Sequence, residues 1–179
     1  MKATGIVRRI DDLGRIVIPK EIRRTLRIRE GDPLEIYTDS DGEVIFKKYS
    51  PVGELSGFAS TYAEVLSKTS GLATLISDRD HIVSAAGVSK REFLERRITS
   101  ATEELMENRQ SYNSAENKFQ LQPVEGMEFY ALLAYPIIAS GDVTGSVIML
   151  CSESRSVPSE SDIKLAQSAA SFLGKQMEE

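Results

Sequence analysis

The chain has 179 residues, 41% of them hydrophobic and 27% charged, which is the composition of an ordinary globular protein with room for one or two domains. No apolar run approaches the ~20 residues that span a bilayer, and no signal-peptide core follows the first residues, so we expect a cytoplasmic protein without membrane contact. The single cysteine excludes an intrachain disulfide and any multi-cysteine metal site.

The formal net charge of −5 is divided unevenly along the chain. Residues 1–29 carry nine basic side chains against three acidic ones, whereas residues 30–49 are mainly acidic. Residues 50–179 carry 11 basic and 18 acidic side chains, a net charge of −7. A basic half-module before an acidic remainder is typical of a nucleic-acid-binding arm, although a solvated charged surface also fits the charges alone.

The first module begins with a predicted strand over residues 5–10, a turn over 11–14 and a second strand over 15–18. A short helix over residues 20–27 follows, because Pro19 suits the first helical position, where its missing N–H costs nothing.

That helix has one apolar stripe, formed by Ile22 and Leu26 on the same face. Arg23 and Arg24 fall outside the stripe. We therefore expect the stripe to be buried and the arginines to face a partner.

Two further strands, over residues 34–37 and 43–48, are predicted to pair through a hairpin turn at Asp39-Ser40-Asp41-Gly42, where Asp-Gly is a strong turn signal. So few short elements cannot bury enough apolar surface to be stable alone without disulfides or metal. We therefore expect this module to associate with a second copy of itself.

The residues of this module closely resemble those of the AbrB-like transition-state regulators. The matching residues, in the family's order and spacing, are Lys2, Gly5, Ile6, Val7, Arg8, Leu13-Gly14-Arg15, Ile18-Pro19, Ile22-Arg23-Arg24-Thr25-Leu26, Leu34-Glu35-Ile36 and Lys47-Lys48-Tyr49. The resemblance implies a swapped-hairpin β-barrel over residues 1–49, in which two subunits interleave strands. This agrees with the need for a dimer.

The resemblance also implies contact with double-stranded DNA. The arginines that match the family's contacts are Arg8, Arg15, Arg23 and Arg24, to which we add Arg9 and Lys2. Arginine donates bidentately to phosphate oxygens or to guanine O6 and N7, and the sequence leaves both open. The resemblance favours readout of DNA shape in A/T-rich promoter regions without a strict consensus.

Residues 50–54 are predicted to be a linker, and residues 55–179 a second domain bracketed by two amphipathic helices. The stripe of the first helix, which Gly71 should end, is formed by Leu55, Phe58, Tyr62, Val65 and Thr69. The stripe of the last helix is formed by Ile163, Ala166, Ala170, Leu173 and Met177. The two helices either cover their own sheet or form a bundle with a second subunit.

Between these helices the sequence predicts a hairpin over residues 72–77 and 82–86. Two middle helices follow, with capping-box signatures at Ser89-x-x-Glu92 and Ser100-x-x-Glu103. Three more strands are predicted near residues 119–122, 129–138 and 143–151. This order of elements resembles a GAF sensory domain, which implies an α+β fold with an antiparallel sheet flanked by helices.

GAF domains commonly hold a small molecule between the sheet and the middle helices. The aromatic residues that could line such a pocket are Phe93, Tyr112, Phe119, Phe129 and Tyr130, although a plain apolar core is the alternative. Asn117-Lys118-Phe119 matches the start of a motif found in nucleotide-binding members, but Pro123-Val124 stand where its acidic pair should follow. We therefore predict no cofactor beyond an unidentified small-molecule ligand.

Catalytic groups are scarce. The one histidine, His81, lies in a predicted turn, and the one cysteine, Cys151, ends an apolar strand where a buried structural thiol is expected. Neither a nucleophilic constellation nor a metal site can be assembled from them. We therefore expect a protein that is not an enzyme.

Together these patterns and the two resemblances predict a dimeric or tetrameric DNA-binding transcriptional regulator whose GAF-like domain modulates DNA binding or assembly. Resemblance over the whole chain to a sporulation regulator of the family implies control of genes in the developing spore, as both activator and repressor, and association with the nucleoid. Two alternatives remain: an antitoxin-type DNA-binding protein, or a metabolite-sensing module with little DNA binding.

Overall fold

The computed structural model describes residues 5–54 and 56–178. The chain divides into two compact units, with the boundary between Tyr49 and Ser50. The first unit contains a two-stranded sheet and the second a five-stranded sheet, and all described strand pairs are antiparallel. This mixture of helices and antiparallel strands confirms the predicted α+β class.

The first unit contains helix α1 (Lys20–Thr25) and a hairpin of strands β1 (Leu34–Thr38) and β2 (Val44–Lys48). The hairpin register pairs Leu34 with Lys48 at one end and Thr38 with Val44 at the other. Gly42 takes a φ of +80° in the turn, which a residue without a Cβ adopts at little cost. Both the short helix and the hairpin were predicted.

Residues 5–10 and 15–18 are not strands in the single chain, although the turn between them forms as predicted. The N–H of Asp11 donates to the carbonyl of Arg15 at 3.1 Å, and Gly14 takes a φ of +77°. A β-strand requires a neighbouring strand in register, and this chain by itself supplies none beside these two segments in its described part. The turn, by contrast, depends only on local residues.

The first unit exposes its apolar residues. No Val, Ile, Leu, Met or aromatic side chain in its described part is buried. Leu26, expected in a buried stripe, is 56% exposed. The other large hydrophobic side chains with more than a third of their surface exposed are Ile6, Val7, Ile10, Leu13, Ile16, Val17, Ile36, Tyr37, Val44, Ile45, Phe46 and Tyr49.

The second unit begins where a linker was expected. Residues 51–54 form helix α2 (Pro51–Glu54), and Val52 is only 1% exposed in the core of this unit. Ser50 Oγ donates to Asp78 Oδ2 at 3.0 Å, which ties the start of the segment to the turn after the first strand of this unit. The assignment of DNA binding to residues 1–49, and of sensing or oligomerisation to residues 55–179, stays a prediction.

The sheet of the second unit has five strands, and their bounds are Thr74–Ser77 for β3, Ile82–Ala86 for β4, Tyr112–Asn113 for β5, Ala131–Ala139 for β6 and Asp142–Leu150 for β7. They lie in the order β4-β3-β7-β6-β5 across the sheet. The remaining helices are α3 (Ser56–Ser70), α4 (Lys90–Phe93), α5 (Ser100–Glu107) and α6 (Glu160–Gln176).

Helices cover both faces of this sheet. Successive residues of the central strand β7 point to opposite sides, so they pack into two separate cores. Val147 and Met149 join the core beneath α3 and α6, and Ile148 joins the core on the side of α4 and α5. The bracketing helices therefore cover one face of their own sheet, which was one of the two predicted roles.

The middle of the unit differs from the prediction in its details. Neither predicted capping box forms: the Ser89 side chain makes no capping bond, and α5 is capped by Thr99, whose Oγ1 accepts from the Thr102 N–H. Residues 119–122 are not a strand, and the fifth strand is instead Tyr112–Asn113 beside β6. Thr99 is favoured because its hydroxyl also donates to the carbonyl of Gln122 at 2.6 Å, a contact that sequence spacing does not reveal.

Across the described part of the chain, no helix combines the length and apolar character needed to span a membrane.

Candidate nucleic-acid interface

The turn over residues 11–15 is built by the carboxylate of Asp11. Its Oδ1 accepts the N–H of Leu13 at 3.0 Å and the N–H of Arg15 at 2.8 Å. An aspartate that accepts backbone N–H groups farther along the chain stabilises a turn of this kind. Gly14, with its positive φ, lets the chain reverse direction between the two bonds. The local sequence therefore fixes the place from which Arg15 projects.

The same carboxylate holds the Arg15 side chain. Arg15 Nε donates to Asp11 Oδ2 at 2.8 Å, while 70% of the Arg15 side chain remains exposed. Hydrogen bonds from the backbone and then the side chain of Arg15 hold the pKa of Asp11 below its ordinary value. Asp11 was expected to be a turn residue only, and the signal for this second role was the opposite charge four residues away.

Arg23 and Arg24 lie in the last turn of α1 and are exposed. A cation is favourable there because the carbonyl end of a helix carries partial negative charge. The N–H of Arg23 donates to the carbonyl of Pro19 at 3.0 Å, and its carbonyl accepts from Ile28 at 2.7 Å. The backbone of the helix is thus fixed at both ends while the guanidinium groups face solvent.

The two remaining arginines of the predicted interface, Arg8 and Arg9, are exposed and precede the turn. Lys2 lies outside the described residues. The structure thus places all five predicted arginines on the surface of the first unit, and a direct bond to another predicted functional group is described for none of them. Their role in DNA contact stays a prediction.

The hairpin turn of the first unit is acidic. Asp39 Oδ1 accepts the N–H of Asp41 at 3.1 Å and that of Glu43 at 2.8 Å, and all three residues are exposed. The arginine-bearing segments and this turn therefore carry opposite charge within one small unit. Phosphate is attracted by the former and repelled by the latter.

The five aromatic residues predicted to line a ligand pocket form two pairs and one separate residue. Phe93 packs edge-on against Phe129 with ring centroids 5.2 Å apart, and the rings of Tyr112 and Phe119 are 5.5 Å apart. Phe93 and Tyr112 belong to the buried core, whereas Phe119, Phe129 and Tyr130 are 52%, 37% and 40% exposed.

The hydroxyl of Tyr112 is already engaged. It donates to the carbonyl of Phe119 at 2.9 Å and accepts the N–H of Leu121 at 3.3 Å. A small molecule in contact with Tyr112 would therefore compete with two bonds inside the protein. The assignment of a ligand to this region stays a prediction.

A different aromatic group lies on the outer side of α3 and α6. The rings of Phe58, Tyr62 and Phe172 contact one another, with centroid separations of 5.4–6.2 Å. Phe58 is 39% and Phe172 is 42% exposed, and Val65 on the same helix as Phe58 is 52% exposed. We call the three rings the aromatic ridge. It places apolar surface from two helices side by side in contact with solvent.

The cysteine and the histidine, the other two candidates for a chemical role, lie in surroundings that favour a role in the fold. Cys151 is half-buried after the last strand, and burial raises the pKa of its thiol, which disfavours a reactive thiolate. His81 pairs through its backbone with Arg97. Within residues 5–54 and 56–178, no three His, Cys, Asp or Glu side chains are grouped in a way that would hold a metal ion.

Two family models match the chain. Residues 54–178 match the model described as stage V sporulation protein T C-terminal, transcription factor. Residues 7–53 match the model described as antidote-toxin recognition MazE, bacterial antitoxin.

Similar proteins are found for the whole chain and for its first part. The chain is 49% identical to stage V sporulation protein T of Bacillus subtilis over 181 aligned positions, which cover 100% of both chains. It is 65% identical over 51 residues, or 28% of this chain and 52% of the relative, to the transition state regulatory protein AbrB of the same organism. The solved N-terminal DNA recognition domain of that regulator is also 65% identical and covers 28% of this chain and 94% of the domain, with a TM-score of 0.25.

The second unit is similar to a solved GAF domain. The GAF domain of the phosphoenolpyruvate-protein phosphotransferase from Acinetobacter is 11% identical, with a TM-score of 0.56, and covers 69% of this chain and 81% of that domain. At this low identity the likeness concerns the fold alone. It confirms the predicted GAF fold, and the 65% identity of the first module confirms its resemblance to AbrB-like regulators.

Proposed function

The chain belongs to the family of stage V sporulation protein T, and on this basis we propose that it is a DNA-binding transcriptional regulator of spore-development genes, active as both activator and repressor. The observation that carries the proposal is the 49% identity, which extends over both units and covers the full length of the relative. Membership of a family of transcription factors implies a regulatory role and not a catalytic one. We propose that it acts in the cytoplasm, at the nucleoid of the developing spore.

We propose the first unit as the DNA reader. Support comes from the exposed arginines on the segment before the turn, on the turn itself and on α1, and from the 65% identity to AbrB in this region. The guanidinium group suits contact with phosphate because it is always charged and donates in a planar fork. Readout of groove shape in A/T-rich DNA, without a strict consensus, requires no further base-specific side chain.

A homodimer is the proposed functional form of this unit. Its apolar side chains are exposed in the single chain, and Val7 and Val17 retain 89% and 73% of their accessible surface. A monomer of this kind would leave its hydrophobic surface in water, at a cost of roughly 25 cal/mol per Å². A second copy that interleaves its residues 5–10 and 15–18 with those of the first would supply strand partners and cover these side chains together.

Two such dimers are proposed to pair through the second unit. The aromatic ridge on α3 and α6 supports this step, because large apolar side chains on two adjacent helices suit a helical bundle with another subunit. A dimer of dimers presents two DNA-binding faces, which raises affinity through effective concentration without any new contact.

The GAF-like domain is proposed to modulate DNA binding or assembly. Its fold is one that accommodates small molecules beside the sheet, and an unidentified ligand near Phe119, Phe129 and Tyr130 would use the exposed aromatic surface there. Modulation through subunit packing alone would need no ligand.

An antitoxin is the second candidate function, because residues 7–53 match the antitoxin family model. Residues 54–178 match a transcription-factor module instead and form a packed five-stranded domain. Antitoxin tails that capture a toxin are typically short and extended, so the second unit favours the regulator.

The test is binding of the full chain to an A/T-rich promoter fragment over a series of salt concentrations. A dimer with four arginines per subunit makes up to ~8 phosphate contacts, which gives a slope of log affinity against log salt as steep as about −7. Arg23→Ala/Arg24→Ala should weaken binding severely while the circular dichroism spectrum is unchanged. The matched control is Arg91→Ala/Arg97→Ala, which removes the same charge from exposed arginines of the second unit.

Equal losses in the two double variants would mean that binding follows the total charge and not the first unit. Absence of binding by the unaltered chain would contradict the proposed function itself.

A further inference from the structure

Asp11 is an anionic residue in the middle of a surface proposed to bind a polyanion, and its position calls for a physical explanation. Its two carboxylate oxygens have separate tasks: Oδ1 accepts two backbone N–H groups of the turn, and Oδ2 accepts the Nε–H of Arg15 at 2.8 Å. The turn alone would need only the first oxygen. The second bond acts on the orientation of the arginine.

A hydrogen bond at Nε fixes the plane of the guanidinium group. Among the described residues, Asp11 is the one partner of the Arg15 side chain, so the two terminal nitrogens keep their donors for an external acceptor. These terminal donors form the planar fork that matches two phosphate oxygens or the O6 and N7 atoms of guanine. With 70% of the side chain exposed, the fork is accessible from solvent.

Orientation in advance matters because a long, flexible side chain otherwise loses its rotamer freedom when it binds, which opposes binding. The Asp11 bond imposes part of this cost during folding. Against it stands the repulsion between the carboxylate and nearby phosphates, which is screened by salt and offset by the Arg15 charge. The pair has no net charge, so its contribution to binding depends on geometry more than on attraction.

We propose that Asp11 is a positioning residue for DNA binding, which holds the Arg15 guanidinium with its terminal donors directed at the DNA. The inference rests on the proposed function and adds a residue to it. Charge alone would make removal of a carboxylate strengthen binding to a polyanion. The proposal predicts the opposite, that removal of this negative charge weakens DNA binding.

The test compares Asp11→Asn with Asp12→Asn in the full chain, with a fluorescein-labelled A/T-rich duplex as the probe. Both substitutions remove one negative charge from the same turn. The asparagine Oδ1 at position 11 still accepts the two backbone N–H groups, but its amide nitrogen cannot accept from Arg15 Nε. We expect Asp11→Asn to weaken binding about five- to tenfold, because each copy of the chain loses one oriented arginine, and Asp12→Asn to leave binding equal or tighter.

A double-mutant cycle with Arg15→Ala separates positioning from structure. If Asp11 acts through Arg15, then Asp11→Asn causes no further loss in the Arg15→Ala background. A loss of the same size in both backgrounds would identify a structural role and overturn the proposal. The Nε–H resonance of Arg15 should be observable by NMR in the unaltered chain and in Asp12→Asn, and broadened by exchange in Asp11→Asn.

Failure of this inference is distinguishable from failure of the proposed function. If the unaltered chain does not bind the duplex, the proposed function is wrong. If the chain binds, Arg15→Ala weakens binding and Asp11→Asn behaves as Asp12→Asn does, only the positioning role is wrong.

Discussion

At the scale of single residues, Asp162 shows how one buried carboxylate organises a helix end. Its side chain is 3% exposed, and its Oδ2 accepts the N–H of Ser159 at 2.9 Å and the hydroxyl of the same residue at 2.7 Å. Arg155 Nη1 lies 3.2 Å from its Oδ1 and also donates to the carbonyl of Ser70 at 3.0 Å. The start of α6 and the end of α3 are thereby joined through a single guanidinium group.

Replacement of Asp162 by alanine should destabilise the second unit by about 2 kcal/mol. It removes the carboxylate half of the capping box at the start of α6, and it leaves the Ser159 N–H and the Arg155 guanidinium without this buried acceptor. Denaturant unfolding followed by far-UV circular dichroism measures the change. The control is Glu160→Ala in the same first turn, whose side chain is 82% exposed in a pair with Lys164. This control should unfold close to the unaltered chain, and equal losses in both variants would contradict the role given to Asp162.

At the scale of elements, the packing of α6 on the sheet depends on one glycine. A Cβ atom built on Gly174 would lie 2.2 Å from the carbonyl oxygen of Ile138 in β6, far inside van der Waals contact. The helix backbone therefore lies directly against the strand. Gly57 in α3 offers the opposite case, since nothing lies within 4 Å of its added Cβ.

Gly174→Ala should therefore force α6 away from β6 and destabilise the unit by about 1–3 kcal/mol, as overpacked cores are. Gly57→Ala adds the same methyl group to a helix at an open position and should stabilise the chain slightly, by up to ~1 kcal/mol. Thermal unfolding of the two variants measures both effects. A loss of stability in Gly57→Ala as large as that in Gly174→Ala would show that close approach to β6 is not the cause.

At the scale of the whole molecule, two exposed apolar surfaces bear on how copies of the chain assemble. The first unit exposes apolar side chains that the proposed dimer would cover, and the second unit exposes the aromatic ridge formed by Phe58, Tyr62 and Phe172. Tyr62 is the most covered of the three, and burial raises the pKa of its hydroxyl. Two separate surfaces of this kind suit two successive association steps, first to a dimer and then to a dimer of dimers.

Phe58→Ser/Phe172→Ser should therefore halve the mass of the assembly, from four chains to two, because the apolar surface of the ridge is lost while the first unit is unchanged. Analytical ultracentrifugation at micromolar concentration distinguishes the two masses. The control is Val157→Ser, which removes an exposed apolar side chain (62% exposed) outside the ridge. A dimer in the unaltered chain, or an unchanged tetramer in the double variant, would contradict the proposed assembly.

The sequence alone determined the features that depend on neighbouring residues. The turn at Asp11–Gly14, the hairpin closed by Gly42 and the end of α3 before Gly71 follow from local backbone preferences, which act within a few residues. The predicted arginines are exposed for a similar reason, since a charged group beside a short helix or turn has little to bury it. The family was evident from the same local segments.

The tertiary structure decided what depends on residues distant along the chain. The two-residue strand at Tyr112 exists because β6 lies beside it, and Thr99 caps α5 because the carbonyl of Gln122 fixes its hydroxyl. Such contacts follow from packing and not from local preference, which is why pattern and spacing left them open.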